Sequence, residues 1–311
     1  MGRADMLHGL IEAGRDVLGL DAGEDGSGTT EAVDSAPRRQ FLRRTGEASA
    51  VGVVGAATLS GGATAAGTLC DRARTDDSAL PWDAGGAYGG WGGADYFGTG
   101  GGISRAPTVF VHGNTGDACN FSGHADYLRA RGWSGDELWS ITFREATSSH
   151  ADMAEQLDDF VANVRAETGA SRVNLVSHSL GVTGTRVWME AYDRFDWVDE
   201  WVGLAGANHG VCNCPGCVDT TVFGSDLGEP CQFIAVQCFG VPGHPLYDIN
   251  LPTETPGGVT YRTVRGYYDA LYYCNVYSPY LSGADNNLVF ADHLGVLESS
   301  ETKEMVANWV A

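Results

Sequence analysis

From Thr108 onward the chain alternates short apolar runs with amphipathic segments, and this alternation constrains the fold more than any other feature. "TVFVHG" is a β-branched, apolar run ending at Gly113, suited to a buried strand. Ser122 can cap a helix that runs to Arg131 and stops at Gly132. "ELWSITF" reads as the next strand. After Ser148 and Ser149, the residues Met153, Leu157, Phe160, Val161 and Val164 recur at spacings of three and four. That spacing predicts an amphipathic helix, closed by Gly169. "RVNLVS" is a strand, "LGVTGTRVWMEAY" a helix, and "WVDEWVGLAG" contains a further strand. "VTYRTVRG" and "NNLVF" predict the last two strands, and "SETKEMVANWV" a closing helix. Alternation at this pace requires crossover connections. The expected fold is therefore α/β, a mostly parallel sheet of about six strands with helices on both faces.

Three segments stand outside this rhythm. Residues 211–258 are rich in cysteine, proline and glycine and read as an insertion. Five of the eight cysteines fall there, from Cys212 to Cys238, including "CNCPGC"; the others are Cys70, Cys119 and Cys274. In an exported protein disulfides are the favoured reading, with a structural metal on the C-x-C-x-x-C spacing and free thiols as alternatives. Residues 70–105, with "AGGAYGGWGGADYFGTGGG", read as a linker whose glycines argue against regular structure and whose Trp91, Tyr96 and Phe97 pack on a surface. Residues 1–69 read as a signal region: Arg38 and Arg39 followed by Phe41 and Leu42 fit a twin-arginine export signal. The mildly apolar residues 48–69 suit a signal segment rather than a membrane span, and "ATAAG" offers a cleavage site. Secretion or display at the cell surface is expected, with Cys70 as an alternative lipid anchor behind a poor lipobox. The catalytic domain is then 106–311.

Charge narrows the partners. The chain carries 40 acidic and 19 basic residues, a net charge of −21, and Lys303 is its only lysine. Such a balance argues against nucleic acid and anionic membrane surfaces as binding partners. With 43% hydrophobic and 10% aromatic residues, the composition argues against disorder too. An acidic, hydrated surface suits concentrated salt, which screens its self-repulsion, so a halophilic source is expected.

The chemistry concentrates where "RVNLV" runs into Ser177-His178-Ser179-Leu180-Gly181 and a helix follows at once. Strand, sharp turn and helix form the setting of a nucleophile elbow, whose flanking positions must be small; here they are Ser177 and Gly181. Ser179 would stand clear of the sheet at a helix N-terminus, where the dipole favours developing negative charge. The bland alternative is a helix-capping serine. "VFVHGN", one crossover earlier, suits the other half of an oxyanion hole, with the backbone N–H of Asn114 joining that of Leu180. His112, Gly113 and His178 are assigned supporting roles. An acid and then a histidine must follow the serine in chain order, and Asp269 and His293 fit. Asp285 and Asp292 compete as the acid and His209 as the base, while His124, His150 and His244 read as surface or loop residues. The tyrosines of "GYYDALYYCNVYSPY" read equally as the lining of an acyl or polymer groove and as ordinary rim packing.

The stretches "VFVHGNTGDACNFSGHADYLRARGWSGDELWSITF", "ETGASRVNLVSHSLGVTGTRVWME", "VGLAGANHG", "YRTVRGYYD" and "LSGADNNLVFADHLGVL" occur in order and resemble class 2 lipases, the small α/β-hydrolase lipases, in an exported haloarchaeal-type form. The resemblance implies an α/β-hydrolase fold without a cap domain. It also implies carboxylic-ester hydrolysis by Ser179, Asp269 and His293, with oxyanion donors at Asn114 and Leu180; that chemistry needs no cofactor, and no metal-ligand cluster stands out in the sequence. An apolar ester, lipid or polyester, is the implied substrate. The chain departs from the family pattern at Ser177, in the insertion 211–258 and in its N-terminal extension, and the insertion puts "no lid" in question. A related group, the extracellular polyhydroxyalkanoate depolymerases, shares this type of elbow. A non-catalytic binding protein on the same fold is the reading from another class; such proteins lose a triad member, and none is missing here.

Overall fold

Seven strands form one sheet among the described residues: β1 (Tyr88–Gly92), β2 (Thr108–Val111), β3 (Leu138–Phe143), β4 (Val173–His178), β5 (Val198–Leu204), β6 (Thr260–Gly266) and β7 (Asp285–Val289). This computed structural model describes residues 72–211, 234 and 245–311. The signal region, Cys70, the cysteines from 212 to 238 and His244 lie outside the described residues. The strand order is β1-β3-β2-β4-β5-β6-β7, and every pairing except that of β1 with β3 is parallel. Among the described residues the helices are α1 (Gly93–Phe97), α2 (Ser122–Arg129), α3 (His150–Thr168), α4 (Leu180–Tyr192), α5 (Pro245–Asp248), α6 (Gly295–Glu298) and α7 (Ser300–Trp309). The fold is that of an α/β-hydrolase, as expected, with one strand more than anticipated.

Local chemistry accounts for the elements. Helix α3 starts where Ser149 accepts the Asp152 N–H and stops at Gly169, which adopts the left-handed conformation at φ 70°. Its stripe of Met153, Leu157, Phe160, Val161 and Val164 is wholly buried. Along β2 successive side chains alternate between layers. Val109 and Val111 pack with α3 and α4, while Phe110 packs on the other face with Leu128 of α2 and Val306 of α7. Two covered faces explain why β2 and β4 are buried at every position.

Two expectations are corrected. The glycine-rich stretch holds a regular strand: β1 lies antiparallel on β3, with Tyr88 and Trp91 buried. Its glycines serve close approach rather than looseness, since a Cβ on Gly90 would stand 2.2 Å from Ser140 O and one on Gly92 2.4 Å from the Trp139 ring. His124 and His150 are buried, not at the surface. Each shares an inward stripe at helical spacing, His124 with Leu128 and His150 with Met153 and Ala154.

The order of strands also locates a crevice. After β2 the chain moves to β3 on one side, and after β4 it moves to β5 on the other. The connections diverge at the carboxyl ends of β2 and β4, where open α/β sheets form their ligand clefts. Gly113 and Ser179 follow these two ends. Among the described residues no helix is long and apolar enough to cross a membrane.

Candidate active site

Ser179 sits between β4 and α4 with φ 53° and ψ −121°, a left-handed backbone that non-glycine residues adopt rarely and at a strain of about 1–3 kcal/mol. The surroundings hold it there. Its N–H donates to Leu204 O at 2.9 Å, and its carbonyl accepts the Val182 N–H at 3.1 Å. The elbow packs directly onto the end of β2: a Cβ on Gly181 would stand 2.4 Å from His112 O, and one on Gly113 2.8 Å from Ser179 Cβ. Ser177, unusual at its position, is fully buried and donates its hydroxyl to Val202 O at 3.2 Å, so the small polar side chain is accommodated without loss.

The predicted acid and base converge on this serine from separate loops. His293 Nε2 lies 2.9 Å from Ser179 Oγ, and His293 Nδ1 lies 2.7 Å from Asp269 Oδ2. A carboxylate only accepts, so Nδ1 carries the proton and Nε2 presents its lone pair to the Ser179 hydroxyl. Asp269 follows the end of β6 and is almost fully buried; its Oδ1 accepts the Leu271 N–H at 3.0 Å, which fixes the carboxylate plane. The competitors are engaged elsewhere. Asp285 Oδ2 pairs with Arg262 Nη1 at 2.8 Å, Asp292 Oδ1 accepts the Gly295 N–H at 2.6 Å, and the His209 ring lies against Glu254 Oε1 and Ser278 O.

His178 and His112 are neutral for a physical reason. Burial pushes His178 down to about 3, with the neighbouring His293 ring acting in the same direction. Its Nε2–H donates to His293 O at 2.9 Å and so ties the loop of the base to the elbow. Burial likewise pushes His112 down to about 3. Its Nε2 accepts the Phe143 N–H at 3.0 Å, which leaves the proton on Nδ1 to bond Gly113 O at 2.7 Å. The Gly113 carbonyl and the Asn114 N–H share one trans peptide plane and point opposite ways. The His112 ring therefore aims the Asn114 N–H away from itself. Among the described residues neither the Asn114 nor the Leu180 N–H has a backbone acceptor, leaving both donors open.

Exposed apolar side chains adjoin two members of this triad in the chain. Tyr268 precedes Asp269, Leu294 follows His293, and Tyr267, Tyr268 and Phe290 pack their rings 5.0–6.4 Å apart while each is more than half exposed. On another side, Val211 and Ile234 of the insertion pack with Tyr272, whose ring lies 6.3 Å from His293. Burial and the nearby Asp269 raise the Tyr272 phenol, which donates to Ala205 O at 2.6 Å. Val211 and Ile234 thus stand near the site. No sequence pattern singles out Arg74, yet its guanidinium reaches the turn after β2. Among the described residues no cluster of three or more His, Cys, Asp or Glu is arranged to hold a metal ion.

Residues 105–192 match the family described as lipase (class 2), as the sequence resemblance implies. The match includes the β2 turn and the elbow and ends before the strands that bring in Asp269 and His293. The fold is similar to that of the mature lipase BlEst2 of Bacillus licheniformis, at 17% identity and a TM-score of 0.51, over 67% of this chain and 93% of that one. It is also similar to the phospholipase PlaB of Legionella pneumophila, at 14% identity and a TM-score of 0.50, over 67% of this chain and 60% of that one.

Proposed function

We propose that this chain is an exported serine carboxylic-ester hydrolase acting through an acyl-enzyme. The observation that carries the proposal is the continuous line from Ser179 Oγ through His293 to Asp269, on an elbow with two open N–H donors beside it. His293 Nε2 takes the Ser179 proton as Oγ attacks the acyl carbonyl. Asp269 holds the imidazole in the required tautomer and stabilises the imidazolium. The N–H groups of Asn114 and Leu180 receive the oxyanion; losing one such donor typically costs about 100- to 1000-fold in rate. His293 then returns the proton to the leaving alkoxide, and water repeats the sequence to release the acid. His178, buried and neutral, adds no charge beside the imidazolium.

The apolar rim of Tyr267, Tyr268, Phe290 and Leu294 supports an apolar acyl ester rather than a charged or sugar-like one. It fits a lipid and a polyester alike, so a polyhydroxyalkanoate-type polymer is the second reading. Export rests on Arg38 and Arg39, and the acidic composition supports a salt-rich setting. Cys119 and Cys274, neither of them a free thiol, suit an oxidising compartment.

The test is hydrolysis of p-nitrophenyl esters from acetyl to palmitoyl, in low and multimolar salt, by the parent chain and by Ser179→Ala. Activity that rises with salt and disappears in the variant is expected. Activity equal in both proteins would overturn the reading. Replacing Tyr267, Tyr268 and Phe290 together by serine should leave soluble acetyl-ester turnover within about threefold while depressing clearing of an emulsified lipid or polyester film by about tenfold or more. Equal losses on both substrates would refute a surface role for the rim.

A further inference from the structure

Arg74 lies outside the residues that match the lipase family and in a segment whose sequence predicts only a linker. The structure places it against the catalytic crevice. Gly89 of β1 allows this: a Cβ there would stand 2.5 Å from Arg74 O, so the backbone at 74 can lie directly on the strand. From that position the half-buried guanidinium divides its donors between two backbone carbonyls. Nε donates to Phe143 O, the last residue of β3, at 2.8 Å, and Nη2 donates to Gly116 O, in the turn after β2, at 2.7 Å. The same Nη2 lies 3.5 Å from His112 Nε2. Asp117 and Glu145 supply its counter-charge.

These contacts enclose the candidate oxyanion turn. Phe143 supplies the N–H that fixes the His112 ring, and that ring fixes the Gly113 carbonyl and hence the direction of the Asn114 N–H. At the other end of the turn, Gly116 N–H closes back on Gly113 O at 3.1 Å, while Gly116 O is held by Arg74. Thr115, between them, holds a left-handed φ of 58° and donates its N–H to Ala146 O at 2.7 Å, so the turn is a strained conformation that outside contacts must maintain. A planar guanidinium with donors in a rigid fork can bridge two such carbonyls at once; an ammonium at the same place cannot reproduce both directions.

Building on the ester-hydrolase reading, we propose that Arg74 is a positioning residue for the oxyanion hole: it locks the end of β3 to the turn 113–116 so that the Asn114 N–H is aimed before substrate arrives. The N-terminal segment is then part of the catalytic apparatus rather than a tether. Because the donor must already point at the developing oxyanion, loosening the turn acts on the chemical step more than on ground-state binding.

The experiment compares the full chain with Arg74→Met and Arg74→Lys, on a soluble p-nitrophenyl ester, in the salt that supports folding, with and without added guanidinium ion at millimolar concentration. The expected result for Arg74→Met is a folded protein with kcat reduced about 10- to 100-fold, KM within about twofold, and kcat partly restored by guanidinium. Arg74→Lys should fall between it and the parent. Two results would overturn the proposal: Arg74→Met with kcat within twofold of the parent, or a loss of kcat that tracks a lowered Tm and does not respond to guanidinium. Ser179→Ala run alongside separates the two ideas: if it retains ester turnover, the hydrolase reading itself fails, whereas an inactive Ser179→Ala beside a fully active Arg74→Met removes only the clamp.

Discussion

Asp269→Asn changes one buried atom and tests the direction of proton flow through the triad. In the parent chain Asp269 Oδ2 accepts from His293 Nδ1 at 2.7 Å and Oδ1 accepts the Leu271 N–H at 3.0 Å. The Leu271 N–H can only donate, so the asparagine must turn its carbonyl toward it. Its NH2 then faces His293 Nδ1, which can accept only if the imidazole proton moves to Nε2. There the proton points at Ser179 Oγ, and the base is occupied before the reaction begins. The same substitution in a serine triad lowers kcat about 10⁴-fold, equivalent to about 5.5 kcal/mol of transition-state stabilisation at 1.36 kcal/mol per decade. The side chain is isosteric and its N-cap contact to Leu271 survives, so Tm should barely move. The assay is kcat and KM on a soluble p-nitrophenyl ester, with proton NMR of the low-field Nδ1–H as a second readout. Turnover within tenfold of the parent, with the Nδ1 proton still present, would refute the assignment of Asp269 as the acid.

Two further outcomes follow from the packing and from burial. In Gly181→Ala the new Cβ would meet His112 O at 2.4 Å and Val111 O at 2.8 Å, backbone atoms at the carboxyl end of central strand β2 that cannot retreat. Destabilisation of about 1–3 kcal/mol is expected from such overpacking, with a loss of turnover, and urea unfolding in molar salt that matches the parent would contradict it. His112, His124 and His178 are each lowered by burial from 6.5 to about 3. The unfolded chain therefore binds protons that the native chain refuses between these values, so their contribution is intact above pH 6.5 and is lost as pH falls toward 3. In that window each histidine removes up to about 1.4 kcal/mol of stability per pH unit. Urea midpoints at fixed salt that stay flat from pH 7 to pH 4 would refute this.

Much of the fold could be read because its causes are local. The α3 stripe, its Ser149 cap and its Gly169 stop all lie within one stretch of chain, and the structure returns each of them. The elbow was legible for the same reason: the small residues at 177 and 181 are demanded by a turn only a few residues long. The meeting of Asp269 and His293 with Ser179 follows from chain order, with Asp269 past a strand end and His293 in the loop before the last helix, and both lie beyond the family match. The misses are contacts between distant segments. Glycines at 89, 90 and 92 signal a loop when read locally, but here they admit Arg74, Ser140 and Trp139, whose proximity no local pattern reveals. Arg74 itself is one charge among several in "DRARTDD", ahead of the glycine-rich run, and its partners are backbone carbonyls 42 and 69 residues away. His124 and His150 read as surface or loop residues in the sequence, although their spacing to Leu128 and Met153 fits the inner face where they lie.

The central claim is that Ser179 is a nucleophile activated in place, not a capping serine. A fluorophosphonate tests this directly, since it phosphonylates only a serine whose hydroxyl is deprotonated by a neighbouring base and whose oxyanion is received by open donors. The measurement is intact-mass and peptide mass spectrometry of the full chain after exposure to the probe in folding salt. One label per chain, on the peptide carrying Ser179, absent in His293→Ala and absent after unfolding, is the predicted result. An unlabelled Ser179 in a folded chain, or label on another residue with ester turnover surviving in Ser179→Ala, would contradict the account.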